Sequence, residues 1–117
     1  MNVVTAEALP TVFVYPESDG KPMADNTKQA RWLTVLHGNV EALLRDVEAF
    51  VALNLMWYAR EGFPEESAAP DVFVAFGRPK DERRSYKQWE EDGVPPQVVF
   101  EVLSPRIFRV GATLHFR

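Results

Sequence analysis

One helix-forming segment followed by three β-forming runs constrains the fold more than any other feature of this sequence. Residues 25–27 favour a helix N-cap, and apolar residues then recur at helical spacing to about residue 45 or 46. We therefore predict an amphipathic helix that packs on a sheet, with Gln29 partly buried within its apolar stripe. The predicted stripe comprises Trp32, Leu33, Leu36, Val40, Leu43, Leu44 and Val47.

The β-forming runs lie at residues 50–58, 71–76 and 97–103. Short connections favour antiparallel neighbours, so an α+β (α/β) fold is predicted, with a three-stranded, largely antiparallel meander beneath the helix. Residues 85–92 are predicted to form a short helical turn, capped by Ser85 and anchored by Trp89. The basic tail after residue 105 is compatible with a short strand, but nothing in the sequence fixes its register.

Composition limits the classes of protein that remain. The 117 residues fit one domain, and a hydrophobic fraction of 46% supplies a core. The absence of cysteine excludes disulfide scaffolds and thiolate chemistry. No secretory signal is visible and the longest apolar stretch is too short to span a bilayer, so a cytoplasmic protein without membrane contact is expected. The net charge of −4 gives no overall attraction to nucleic acid.

Two carboxylates stand out because of where they lie. Asp71 opens a predicted strand directly after Pro70, and Glu101 lies within an apolar run that places it on one face with Val99 and Leu103. If the two strands are neighbours, the carboxylates lie side by side, and a hard divalent cation such as Mg²⁺ would relieve their repulsion. Such an ion can activate water for phosphate hydrolysis. On spacing alone, a solvent-facing glutamate and a turn-capping aspartate are the favoured interpretation of these two residues.

Basic residues and one histidine offer further candidates. Five cations lie close together and could contact phosphates, although a solvated charged loop is the simpler interpretation. His37 and Glu41 lie one helical turn apart, where they could share a metal or form a helix-edge ion pair. The candidate nucleic-acid-binding residues are Arg78, Lys80, Arg83, Arg84 and Lys87.

An ordered set of segments between residues 15 and 105 resembles a known family. The segments read YPESDGKPM, PDVFV, FGRPK, SYKQWEED and PPQVVFEVLSP. Together they resemble the Uma2 family of endonucleases in the restriction-endonuclease-like, PD-(D/E)xK superfamily.

The resemblance implies a restriction-endonuclease-like α-β-β-β-α-β core and Mg²⁺-dependent hydrolysis of DNA. Asp71 and Glu101 would be the catalytic, metal-binding acids, and Glu41 on the first helix would join them. A lysine often stands two residues after the second acid in the superfamily, but this sequence has Leu103 there. Uma2 proteins usually supply their lysine from the following helix instead.

The tail departs from the family pattern. Residues 1–105 resemble the N-terminal part of a Uma2 domain, whereas residues 106–117 do not, and no lysine follows Lys87. We therefore expect a truncated or frameshifted member that lacks the second core helix and fourth strand and has little or no nuclease activity. An exposed edge at residues 97–103 is expected to favour self-association. A non-catalytic interaction protein and a nucleic-acid-binding remnant are the alternative functions.

Overall fold

The computed structural model describes Tyr15, residues 27–104 and residues 107–112, with side chains for Tyr15 and residues 30–101. Most of the N-terminal segment, including the polar start of the family-like region, lies outside the described residues, as do the Gln29 side chain and His115. The elements are α1 (Thr27–Leu43), β1 (Ala49–Leu53), β2 (Trp57–Tyr58), β3 (Ser67–Ala68), β4 (Val72–Phe76), β5 (Tyr86–Lys87), a 3₁₀ turn (Gln88–Glu90), β6 (Val98–Ser104) and β7 (Ile107–Ala112).

A four-stranded antiparallel sheet with the order β1-β4-β6-β7 forms the centre of the fold, and α1 lies against one face of it. The α+β class, with a helix on an antiparallel sheet, is thus confirmed. No helix in the described part of the chain has the length and hydropathy that crossing a bilayer requires.

The helix-facing side of the sheet carries one half of the core. Side chains at alternate positions of a strand share a face, so every second residue of β1 and β4 points towards α1. Val40 of α1 packs there against Val51 and Val74. The buried members of this cluster are Val40, Ala49, Val51, Val72 and Val74.

The helical stripe is narrower than its sequence pattern predicts. Leu33 and Val40 are buried as expected, but Trp32 is 44% and Leu43 is 79% exposed. Their flank of α1 turns away from the sheet, because the strands beneath bury only one side of the helix. Val47, which follows the end of α1, is also exposed at 41%.

The opposite face of the sheet is covered by a second, three-stranded sheet with the order β3-β2-β5. Phe50 and Phe73 meet Tyr86 of β5 here, and the rings of Phe50 and Tyr86 stack with centroids 6.0 Å apart. Trp57 is buried in the same cluster.

The predicted single strand over residues 50–58 is wrong, because the chain changes sheets at Asn54. Asn54 has a φ of 50°, a left-handed conformation that asparagine tolerates and that ends β1. The chain then enters β2, which pairs with β3 and β5 rather than with the main sheet.

The predicted helical turn at residues 85–92 is replaced by the short strand β5 and one 3₁₀ turn. Lys87, not Ser85, occupies the N-cap position, and no side chain caps this turn. Parallel pairing of β5 with β2 extends the backbone just where a helix was expected to begin, so long-range pairing overrides the local preference.

The strand predicted to be an exposed edge is β6, and it lies inside the sheet between β4 and β7. Residues of the tail form β7, which supplies the fourth strand, and pairs from Val98↔Ala112 to Glu101↔Arg109 fix its register. The expectation of self-association through residues 97–103 therefore loses its structural basis, since both sides of β6 are paired.

Burial of Tyr86 makes the stability of the folded protein depend on pH in the alkaline range. Its side chain is fully buried, its hydroxyl donates a 2.7 Å hydrogen bond to the Val94 carbonyl, and burial raises the pKa of Tyr86 above its ordinary value of 10.0. The unfolded chain therefore releases this proton first. The free energy of unfolding therefore keeps its full value below pH 10 and falls by about 1.4 kcal/mol for each pH unit above 10.

We expect Tyr86→Phe to cost about 1 kcal/mol at pH 8, where the Val94 carbonyl loses its donor, and to flatten the decline above pH 10. Urea denaturation at pH 8, 10 and 11 measures both effects. An equally steep alkaline decline in Tyr86→Phe would show that another group causes it.

Candidate functional site

Asp71 and Glu101 each lie one residue beyond the last register pair of β4 and β6. That pair is Val72 with Phe100, and one further step in the same register would set Asp71 opposite Glu101. On the other side of β6, Glu101 pairs with Arg109 of β7. Asn54 completes the row at the end of β1, where its N–H donates a 2.8 Å hydrogen bond to the carbonyl of Asp71.

This row lies on the face of the sheet that is turned away from α1. Phe73 and Val99, two residues from Asp71 and Glu101 respectively, pack in the cluster around Tyr86. Because alternate residues share a face, Asp71 and Glu101 belong to this same side. Both residues are half-buried, a position that leaves a carboxylate access to solvent.

Two carboxylates at this spacing are chemically compatible with a magnesium ligand set. Directly opposed residues of antiparallel strands have Cβ atoms about 4.5–5.5 Å apart, which is close enough for two carboxylates to share one cation. Within the described residues no group of three or more His, Cys, Asp or Glu side chains comes together. A complete protein cage is therefore not formed there, but Mg²⁺ commonly uses one or two carboxylates and keeps several waters.

Glu41 does not join this pair. It projects from α1 at the outer edge of β1, and its Oε1 lies 3.6 Å from Nδ1 of His37. This is the helix-edge ion pair that a spacing of one helical turn allows. A cavity of about 430 Å³ opens beside them and is lined by β1, His37, Arg45 and Lys80 among others, but not by Asp71 or Glu101. Glu41 thus belongs to the helix side, and the acid pair to the other face.

Lys80 and His37 cover the unpaired edge of β1. The ammonium of Lys80 donates to the carbonyls of Leu44, Val47 and Ala49 at 3.0, 2.5 and 2.9 Å. Nε2 of His37 donates to the carbonyl of Val51 at 3.3 Å. Charged side chains on an edge strand prevent it from pairing with another chain.

We expect Lys80→Met to lower the free energy of unfolding by about 1–2 kcal/mol, because three backbone carbonyls at the end of α1 and the start of β1 lose a charged donor. Urea denaturation followed by circular dichroism measures the change. Lys87→Met is the matched control, since among the described residues the contact given for the Lys87 ammonium is with the Tyr15 ring, 5.4 Å from its centroid. Equal losses in the two variants would contradict the structural role of Lys80.

Arg78 and Arg83 converge on a single buried carboxylate. Glu91, 7% exposed, accepts hydrogen bonds from Arg78 at 3.0 Å and from Arg83 at 2.7 Å. Arg78 also reaches Asp92 at 2.6 Å, and the guanidinium of Arg83 lies 4.0 Å from the centroid of the Phe50 ring. The hydrogen bond to Glu91 is the main cause that raises the pKa of Arg78 above its ordinary value.

The five basic residues selected from the sequence therefore have different environments. Arg78, Lys80 and Arg83 have acceptors within the chain, and Arg84 is exposed but also has an interaction within the chain. DNA contact by this set remains a prediction, and the structure supplies a second role, in stability, for three of its members.

Reasoning from the sequence did not single out Glu91 or Asn54. Glu91 lies in an acidic run of sequence, a pattern typical of a solvent-exposed segment. Only the fold shows that Glu91 is buried against two arginines. A signal for Asn54 did exist, since an asparagine within an apolar β-forming run can mark a chain reversal.

The helix on an antiparallel sheet, with two acids at adjoining strand positions, is consistent with a restriction-endonuclease-like fold. The family model Uma2, described as "Putative restriction endonuclease", matches residues 16–106, and the chain belongs to this family. A comparison of the chain with curated proteins and one with solved structures each found no match. The resemblance found in the sequence motifs is thus confirmed.

Proposed function

We propose that this protein is a Mg²⁺-dependent DNA endonuclease in which Asp71 and Glu101 hold the metal. The observation that supports the proposal is the register of β4 and β6, whose extension by one residue beyond Val72 and Phe100 would set the two acids side by side. Membership of a family described as restriction endonucleases supplies the reaction class, hydrolysis of a phosphodiester bond in DNA.

The chemistry needs both acids together. When bound, Mg²⁺ would polarise the scissile phosphate and lower the pKa of a coordinated water. The role of the protein is to hold two carboxylates close together, one directly before β4 and one within β6, and these paired strands provide rigid support. Glu41 is not used in this proposal, because it lies against the helix side of the sheet.

The rate should be low for an enzyme of this class. Residues 88–117 contain no lysine, so they do not provide one that could help to position the attacking water beside Glu101. An arginine stays protonated and is a poor general base, so it would replace the charge of a lysine but not its proton transfer.

Incubation of supercoiled plasmid with an excess of protein tests the proposal. Nicking that requires Mg²⁺ and stops on addition of EDTA is the expected result, with protein purified from a nuclease-deficient host. DNA binding without cleavage, at any Mg²⁺ or Mn²⁺ concentration, would contradict it and favour the nucleic-acid-binding remnant.

A further inference from the structure

A second cavity lies in the small sheet on the side of the main sheet that is turned away from α1. It has a volume of about 380 Å³, and its walls include Trp57 of β2, Ser67 and Ala68 of β3 and Gln88 of the 3₁₀ turn. We call it the Trp57 cavity. This volume is at the lower end of the range for small-molecule sites, so it fits one ring system rather than a large ligand.

The side chain of Gln88 is a buried polar group with hydrogen-bonding capacity left. It is 8% exposed, its Oε1 accepts a 3.0 Å bond from the indole N–H of Trp57, and its Nε2 donates a 3.1 Å bond to the Gly93 carbonyl. An amide offers two N–H donors and two lone pairs, so one of each remains after these two bonds to described residues. A buried amide in this state favours a ligand with a polar edge, because an unmade hydrogen bond of a buried group costs free energy.

The rim of the cavity carries one charge of each sign. Nε and Nη2 of Arg60 donate to the two carboxylate oxygens of Glu66 at 3.1 and 2.6 Å, and both side chains line the cavity. The pair cancels its own charge, so the rim offers little attraction to a phosphate. An uncharged ring with donors and acceptors on its edge therefore suits this cavity better than an anion does.

We propose that the Trp57 cavity binds one unpaired nucleobase of the DNA substrate. The inference rests on the proposed function, since it names the form of DNA that the site accepts. Ala68 precedes Asp71 by three residues, so their Cα atoms are at most about 11 Å apart and the cavity adjoins the acid pair. A base outside the double helix would pack against the indole of Trp57 and exchange hydrogen bonds with Gln88, which are the two ways in which proteins hold such bases.

Fluorescence anisotropy in Ca²⁺, with a labelled single strand and its duplex, tests this assignment. We expect the wild type to bind the single strand about tenfold more tightly than the duplex. Ala68→Leu fills the cavity from an exposed position and should remove this preference while leaving the affinity for the duplex unchanged. Loss of folded structure would instead lower both affinities. Ala42→Leu makes the same change at an exposed position of α1 and should keep the preference.

Two further measurements identify what the cavity holds. A strand of abasic residues should bind as weakly as the duplex, and Gln88→Met should reduce the preference for the normal single strand severalfold. The indole N–H resonance of Trp57 should shift on addition of adenosine to the wild type but not to Ala68→Leu. Tighter binding of adenosine than of the single strand would assign the cavity to a free nucleoside and overturn the proposal.

The remaining outcomes separate this inference from the proposed function. If the wild type cleaves DNA with Mg²⁺ but shows no preference for the single strand, or if Ala68→Leu keeps that preference, the assignment of the cavity is overturned and the proposed function stands. If the cavity binds the single strand as expected but no cleavage occurs with Mg²⁺, the proposed function fails and base binding stands.

Discussion

Replacement of Glu91 by alanine is expected to lower the free energy of unfolding by about 3 kcal/mol. Glu91 is 7% exposed and receives hydrogen bonds from Arg78 and Arg83, at 3.0 and 2.7 Å. Without this carboxylate, Arg83 is left half-buried over the Phe50 ring with its positive charge uncompensated. The loop before β5 and the turn after it are joined by these ion pairs, so both should loosen.

Urea denaturation followed by tryptophan fluorescence measures the loss. Glu90→Ala is the matched control, because Glu90 is the exposed neighbour in the same turn and should change stability by less than about 0.5 kcal/mol. High salt should not restore stability to Glu91→Ala, because screening cannot replace a buried partner. Equal stability of the two variants would show that Glu91 is not the centre of this network.

Asp71→Asn is expected to reduce the rate of Mg²⁺-dependent DNA cleavage by about 100-fold or more, comparable with the loss of one group that stabilises charge in a transition state. The substitution keeps the size of the side chain and its position opposite Glu101. It removes the negative charge that a hard cation requires, because a neutral amide oxygen binds Mg²⁺ weakly.

The control for this variant is Asp81→Asn, which makes the same change in an exposed loop residue. Rates measured over a range of Mg²⁺ concentrations separate weakened metal binding from a slower reaction. Because Glu101 remains, high Mn²⁺ should recover part of the activity of Asp71→Asn. Cleavage by Asp71→Asn at the rate of Asp81→Asn would place the active residues elsewhere.

The main elements follow from local sequence patterns. The helix and the runs that become β4 and β6 result from hydrophobic periodicity. Residues 77–97, which include β5 and the 3₁₀ turn, separate β4 from β6, so spacing alone does not predict that Asp71 and Glu101 come close together.

The remaining features depend on long-range partners that no local pattern contains. The strands β2, β3 and β5 have only two residues each and exist because they pair with one another. The tail acquires its register only from β6, so the position of Arg109 beside Glu101 could not be predicted. Glu41 lies at the border of the helical stripe, where periodicity does not decide which side it faces.

The most direct test of the account is an isothermal titration of the DNA-free protein with Mn²⁺, as a calorimetric substitute for Mg²⁺. We predict one site per chain, at least tenfold weaker in Asp71→Asn and in Glu101→Gln, and weaker still in the double variant because it removes both carboxylates that serve the one ion. Glu65→Gln, an exposed loop substitution, should bind as the wild type does. Unchanged Mn²⁺ binding in both single variants would contradict a metal site at Asp71 and Glu101.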